Sequence, residues 1–164
     1  MTPTVSLVKG RPGLGRDVRL ERLWLAAQQK SWRSIAVVSS GPDVPTIEVA
    51  HTLARVAWWY AGDPTAVVDL RFLSLRLLNY QIEDIRRQIG SGDRLFVAVR
   101  SPSENPTAVP VARSVDAVIL CVALGVTVVS AARKTIDAVG RERFLGTVLV
   151  QPQRQRQGVS EPPR

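Results

Sequence analysis

The sequence predicts an α/β fold, a three-layer sandwich around a mostly parallel sheet of about five or more strands. Three observations predict it. Short runs of β-branched and apolar residues alternate along the chain with segments whose apolar residues recur every three to four positions. The runs "SIAVV", "RLFVAV" and "DAVILCVAL" are apolar nearly throughout rather than at every second position, as in strands covered on both faces. Between residues 34 and 56, one such run passes through a Gly-Pro-Asp-Val-Pro turn directly into a helical pattern, the layout of a strand, a phosphate-binding loop and a helix.

At 164 residues the chain fits one domain with a substantial core. Residues 1–15, "MTPTVSLVKGRPGLG", hold three glycines and two prolines with little periodicity and read as a flexible arm. A helix follows from Arg16 to Ser31, with Leu20, Leu23, Trp24 and Ala27 on one stripe and Arg19 and Arg22 beside it. The first core strand spans about residues 34–39. The next helix runs from Thr46 to Tyr60 and stops before Gly62 and Pro64. "TAVVDL" at 65–70 is a strand, and Leu78, Ile82, Ile85 and Ile89 mark a helix stopped by "GSGD". A strand at 94–99 leads into a proline-rich stretch with room for only a short helix near 107–113. A strand at 116–124, a helix over 128–139 with Gly140 beyond it, and a strand at 145–150 complete the body. The tail, 151–164, has too few apolar residues to pack and is expected to be disordered.

The formal charge of +8 lies at the ends. Residues 1–33 carry seven Lys/Arg against two acids and residues 151–164 three against one, whereas 34–150 carry twelve against eleven. A nearly neutral body is not that of a nucleic-acid reader, which carries a basic face on its core. Basic ends suit solubility, anionic lipid headgroups or an acidic partner. No apolar stretch approaches the roughly 20 residues of a spanning helix. The first residues lack signal-peptide features and Cys121 stands alone in an apolar run, so the expectation is a cytoplasmic protein, with peripheral contact at the inner membrane through its ends.

A phosphate-binding loop works when glycines let the backbone curl so that several N–H groups face phosphate oxygens. Its lysine neutralises the outer phosphates and a following Ser or Thr holds Mg²⁺. With Ser39-Ser40 closing the strand and Leu53-Ala54 in the following helix, the order of elements over about residues 16–150 resembles a known family. It is the cytoplasmic domain of the bacterial tyrosine kinases of capsule and exopolysaccharide biosynthesis, within the MinD/ParA group of P-loop ATPases. The resemblance implies a P-loop NTPase-like fold. It places Thr46 at the loop lysine, Ile47 at the metal-binding hydroxyl and Pro45 at the preceding glycine. Proline removes an N–H donor and fixes φ, and isoleucine cannot hold a metal.

The family's second motif, an aspartate pair followed by arginine, is reduced here to Asp69 and Arg71 in "VVDLR". Its third motif ends a strand on an aspartate that helps hold Mg²⁺, where this chain has Arg100 followed by Ser101 and Pro102. That exchange reverses the local charge. "DAVILCVALG" and Leu145-Gly146 match the family's later strands, with Val150 or Gln151 near the adenine-contacting asparagine. Arg16, Arg19 and Arg22 keep the spacing of the ring-assembly helix without its glutamate, and no tyrosine follows Tyr80 to form the family's phosphorylated cluster.

Other features carry no chemistry. The glycines at 10, 13 and 15 are expected to come before any strand and so fail as a dinucleotide fingerprint. His51, the only histidine, has no metal-ligand grouping around it, and "SENP" at 103–106 is a loop. Trp58 and Trp59 cannot both face inward from one helix, and Cys121 reads as a core residue.

The expectation is therefore a protein with no catalytic residues, cofactor or metal. It would be a pseudo-ATPase acting as a regulatory or scaffolding partner of an inner-membrane polysaccharide co-polymerase, chain-length regulator or other export component, alone or as a homo-oligomer. Docking is expected on the helix bearing Arg16, Arg19, Arg22 and Trp24. The alternatives are a residual ATP-binding tyrosine kinase or ATPase with Arg100 replacing the lysine, and a ParA/MinD-like adaptor on membrane or DNA.

Overall fold

A computed structural model describes residues 4–8, 18–28, 30–62 and 64–151. The fold is an α/β three-layer sandwich of P-loop NTPase-like architecture. Its sheet contains β1 (Thr4–Val8), β2 (Ser34–Ser39), β3 (Thr65–Asp69), β4 (Arg94–Val99), β5 (Ala117–Ala123) and β6 (Phe144–Val150), in the order β1-β3-β4-β2-β5-β6. Strands β2 to β6 are mutually parallel, and β1 pairs antiparallel with β3 at one edge. The helices are α1 (Val18–Ala27), α2 (Thr46–Ala61), α3 (Leu78–Gly90), α4 (Ala108–Ser114) and α5 (Val129–Val139).

The apolar runs become strands because both their faces are covered. Along β2, Ile35 and Val37 enter one core with Trp24 and Ala27 of α1 and Leu53 and Ala57 of α2. Ala36 and Val38 enter the other, with Ile85 of α3, Val111 of α4 and Val139 of α5. Strand alternation divides one apolar run between two cores. α2 ends where Gly62 adopts the left-handed conformation (φ 71°) and its N–H donates to Trp58 O.

β2 is flanked by β4 and β5, and the chain leaves it toward β3 on one side and later crosses to β5 on the other. Its carboxyl end, where the Gly-Pro-Asp-Val-Pro turn begins, is thus beside a topological switch point.

Two expectations are corrected. Residues 4–8 are not part of a flexible arm but form β1, paired in register from Thr4 opposite Asp69 to Val8 opposite Thr65. A five-residue edge strand between a proline and a glycine takes its order from the β3 ladder, a tertiary partner that local pattern does not reveal. α1 stops at Ala27 rather than at Ser31, because the Trp32 ring folds back and its Nε1–H donates to Ala27 O (3.1 Å). Residues 9–15, Arg16 and the tail after Gln151 lie outside the described residues.

Candidate functional site

The loop after β2 consumes its own polar groups. Ser39 Oγ donates to Gly41 O (2.8 Å), Ser40 N–H to Cys121 O (2.9 Å), and Ser40 Oγ to the same carbonyl (2.8 Å) while lying 3.2 Å from Thr127 Oγ1. Asp43 turns the chain in the left-handed region (φ 57°), which aspartate tolerates. Pro45, the N-cap of α2, contributes neither an N–H nor a side-chain cap, and Thr46 N–H donates to Val44 O (2.8 Å). Thr46 is 1% exposed, and its hydroxyl is buried without a hydrogen-bond partner. Ile47, next to it, is a partly buried hydrophobe against the core.

Beside this loop is an open cleft of about 260 Å³ between the carboxyl ends of β2, β3 and β4. Val44 and Pro45 form one wall, three carboxylates (Asp43, Glu48 and Glu104) line it, and Arg71 and Arg100 supply two cations. Both cations are engaged. Arg71 makes a two-point pair with Asp69, Nε to Oδ1 and Nη2 to Oδ2 at 2.9 Å each, and its N–H also donates to Asp69 Oδ1 (3.1 Å). Arg100 Nη1 lies 3.6 Å from Glu104 Oε1, and its guanidinium stacks 4.3 Å from the centroid of the exposed Phe72 ring. Burial opposes the charge on Asp69, but the hydrogen bonds and charge of Arg71 outweigh it and hold the carboxyl below its ordinary range. The same hydrogen bonds raise the Arg71 guanidinium further.

The residues singled out from sequence divide into three groups. Pro45, Asp69, Arg71 and Arg100 converge at the carboxyl ends of the strands; Thr46 and Ile47 stand beside them but point into packed surroundings. Trp24, placed among the docking residues, is 4% exposed and belongs to the core, so its ring is not offered to a partner; Arg22 and Leu25 face outward instead. Arg16 and the side chain of Arg19 lie outside the described residues. His51 is half-buried, near enough to Asp69 for its charge to be felt there, and Trp59 is the exposed member of its pair.

Sequence reasoning missed the "SENP" segment. Glu104 Oε2 accepts from Ser101 Oγ (2.8 Å), and Asn105 Nδ2 donates to Leu73 O (3.0 Å) while Asn105 Oδ1 accepts from Thr107 Oγ1 (2.8 Å). This segment ties the loops after β3 and β4 together and fixes the far wall of the cleft. The four-residue spacing of Arg100 and Glu104 was the available signal. Among the described residues, no three His, Cys, Asp or Glu side chains are grouped to hold a metal, and no helix is long and apolar enough to cross a membrane.

Comparison with family models, curated proteins and solved structures gave no match.

Proposed function

We propose that this chain is a non-catalytic, kinase-like domain that works by binding a protein partner. The observation that carries the reading is the charge at the loop. Where the resemblance would seat a triphosphate, three carboxylates face two arginines, and each arginine already has an acidic partner. A polyanion entering there would have to break the Arg71–Asp69 pair and desolvate like charges. The residues do not fit Mg-ATP either. The hydroxyl of Thr46 is enclosed, Ile47 has none, and the position of the metal-holding aspartate is a cation.

The resemblance to the kinase domains of capsule and exopolysaccharide synthesis supports a regulatory or scaffolding place in a polysaccharide export assembly, with an inner-membrane chain-length regulator as partner. The outward face of α1 joins the aliphatic Leu25 to the cationic Arg22, a combination that suits a partly apolar, acidic surface on that partner.

Isothermal titration of the full chain with Mg-ATP tests the absence of nucleotide chemistry. The expected result is no binding at concentrations up to about 1 mM, where the corresponding free energy is only about −4 kcal/mol. Micromolar binding accompanied by phosphate release would replace this reading with that of a residual ATPase.

A further inference from the structure

β6 closes one edge of the sheet, and its outer side is open. Past the bulge at Val118/Ile119 its ladder with β5 is regular from Gly146 to Val150. Val150 O accepts from Leu124 N–H (2.9 Å), so by strand alternation the backbone groups of Gly146, Val148 and Val150 face β5, and those of Thr147 and Leu149 point away from it. Neither outward residue has a hydrogen-bond partner for these groups among the described residues. Sheets blunt such an edge with a lysine, a proline or a covering element, and an edge left plain is a template for a further strand. β6 reads "FLGTVLV", with no charged residue and no proline. Val148 and Val150 pack into the core shared with α1, so the side chains of Thr147 and Leu149 are on the α5 face, and both are exposed, Leu149 at 59%.

The helix above this edge is unfinished on the same flank. α5 turns Thr135 and Val139 inward and lies against α4, whose Arg113 Nη2 donates to Ala138 O (2.8 Å). Val129, Ala132 and Ile136 recur at three and four residues and form a stripe away from Ala138, on the β6 side. None of the three is buried, and Val129, at 77%, is the most exposed large apolar side chain among the described residues. An open strand and an uncovered apolar stripe thus stand side by side at one border of the molecule.

The backbone selects the occupant. Lipid cannot satisfy an open sheet edge, and side chains alone would leave the outward N–H and C=O groups unmet, whereas a strand meets both kinds at once. A second β6 is such a strand. About a two-fold axis normal to the sheet, two copies of β6 run antiparallel, each supplying the donors and acceptors that the other needs, and no charge on either strand opposes the approach. The same axis sets the two α5 helices apart by about two strand spacings, roughly 10 Å, which is the packing distance of helices. Their apolar stripes then meet above the joined strands and cover Leu149. Because the helices run in opposite directions, Arg133 of one copy comes within about a turn of Asp137 of the partner subunit, so the exposed cation at this seam meets an acid. We propose that β6 is a homodimerisation edge, joining two six-stranded sheets into one continuous sheet under a pair of antiparallel α5 helices. The proposal goes beyond the partner-binding reading and does not depend on it.

The test is sedimentation velocity of the full chain from about 1 μM to about 1 mM, a range that covers moderate and weak association, with amide hydrogen exchange on the same samples. The mass is expected to rise from 18.0 kDa to twice that value, and exchange at Thr147 and Leu149 to slow as it does. Thr147→Pro removes an outward N–H and leaves the β5 ladder intact. It deletes one hydrogen bond on each side of the two-fold axis, which should weaken the dimer by more than about tenfold. Thr147→Lys sets two cations against each other only in the dimer. As an exposed substitution it should leave the melting temperature of the monomer nearly unchanged, and so it decides the matter if the proline variant folds poorly. A monomer at every concentration would overturn the proposal and leave the edge to a strand from another protein. A dimer as tight in T147K as in the parent, or one in which Thr147 and Leu149 exchange no more slowly than in the monomer, would overturn it as well and place self-association elsewhere on the surface.

Discussion

Thr46 and Asp116 show how differently single polar side chains are used at the two ends of the sheet. The Thr46 hydroxyl sits at the first position of α2, enclosed and unpartnered, and a buried hydroxyl left unpaired costs about 1–3 kcal/mol. Thr46→Val keeps the shape and removes the unmet group, so it should stabilise the fold by about 1 kcal/mol, seen as a higher urea midpoint with unchanged slope. A drop in the midpoint would mean that the hydroxyl has a partner after all. Asp116 is the opposite case. Its Oδ2 accepts from Arg33 N–H (2.8 Å), Ser34 N–H (2.9 Å) and Ser34 Oγ (3.0 Å), and Ser34 Oγ in turn accepts from Asp116 N–H (3.1 Å). One carboxylate oxygen thereby locks the entry of β2 to that of β5. Asp116→Ala strips these donors of their acceptor and should cost about 2–3 kcal/mol in the same measurement.

Among the elements, α1 is held through its one aromatic side chain, Trp24. Trp24 meets Trp32 edge-on with ring centroids 5.5 Å apart, and Trp32 continues at 5.5 Å to Phe96 of β4, with the Arg94 guanidinium 5.2 Å from the Trp32 centroid. Trp24→Ala should destabilise the protein by about 3–5 kcal/mol and open α1 to limited proteolysis before the sheet unfolds. Equal protease resistance in parent and variant would show that α1 is held by other contacts. The central elements were legible in the sequence because each is fixed by a pattern of its own. The run 34–39 is apolar on both faces, the helix at Thr46 follows a turn, and Gly62 and Gly140 stand just past helix ends. β1 was not legible, since its only reason to be a strand is the exposed edge of β3, some sixty residues away. The site was legible to a similar depth. The resemblance picks out Pro45, Ile47 and Arg100, which lack the N–H, hydroxyl and carboxylate expected at those positions of a phosphate-binding loop. What fills the space could not be read, because Arg100 meets Phe72 and Arg71 faces Glu48 only through strand order and loop geometry.

For the whole molecule, two buried or half-buried groups set opposite limits on stability. Cys121 lies fully enclosed in β5 near the centre of the sheet, and burial pushes its thiol from 9.0 up to about 12. The unfolded chain releases that proton first, so this contribution is complete below pH 9 and is lost as pH climbs toward 12. Asp69 has the reverse sign. Its folded value lies below the ordinary 3.8, so its contribution is present above 3.8 and disappears as pH falls through the lowered value. Urea midpoints measured from acid to alkali should therefore trace a dome with two independently removable shoulders. Asp69→Asn should flatten the acid side and leave the alkaline side in place. Cys121→Ala should lower the whole curve, since it leaves a small void at the centre of the sheet, yet remove the fall that begins above about pH 9. Because the two groups lie on different strands and act in separate pH ranges, the effects should add in the double variant. An alkaline shoulder that survives Cys121→Ala would assign that limb to the lysines or tyrosines, and an acid limb unmoved by Asp69→Asn would mean that the Arg71 pair is as well satisfied by water as by the carboxylate.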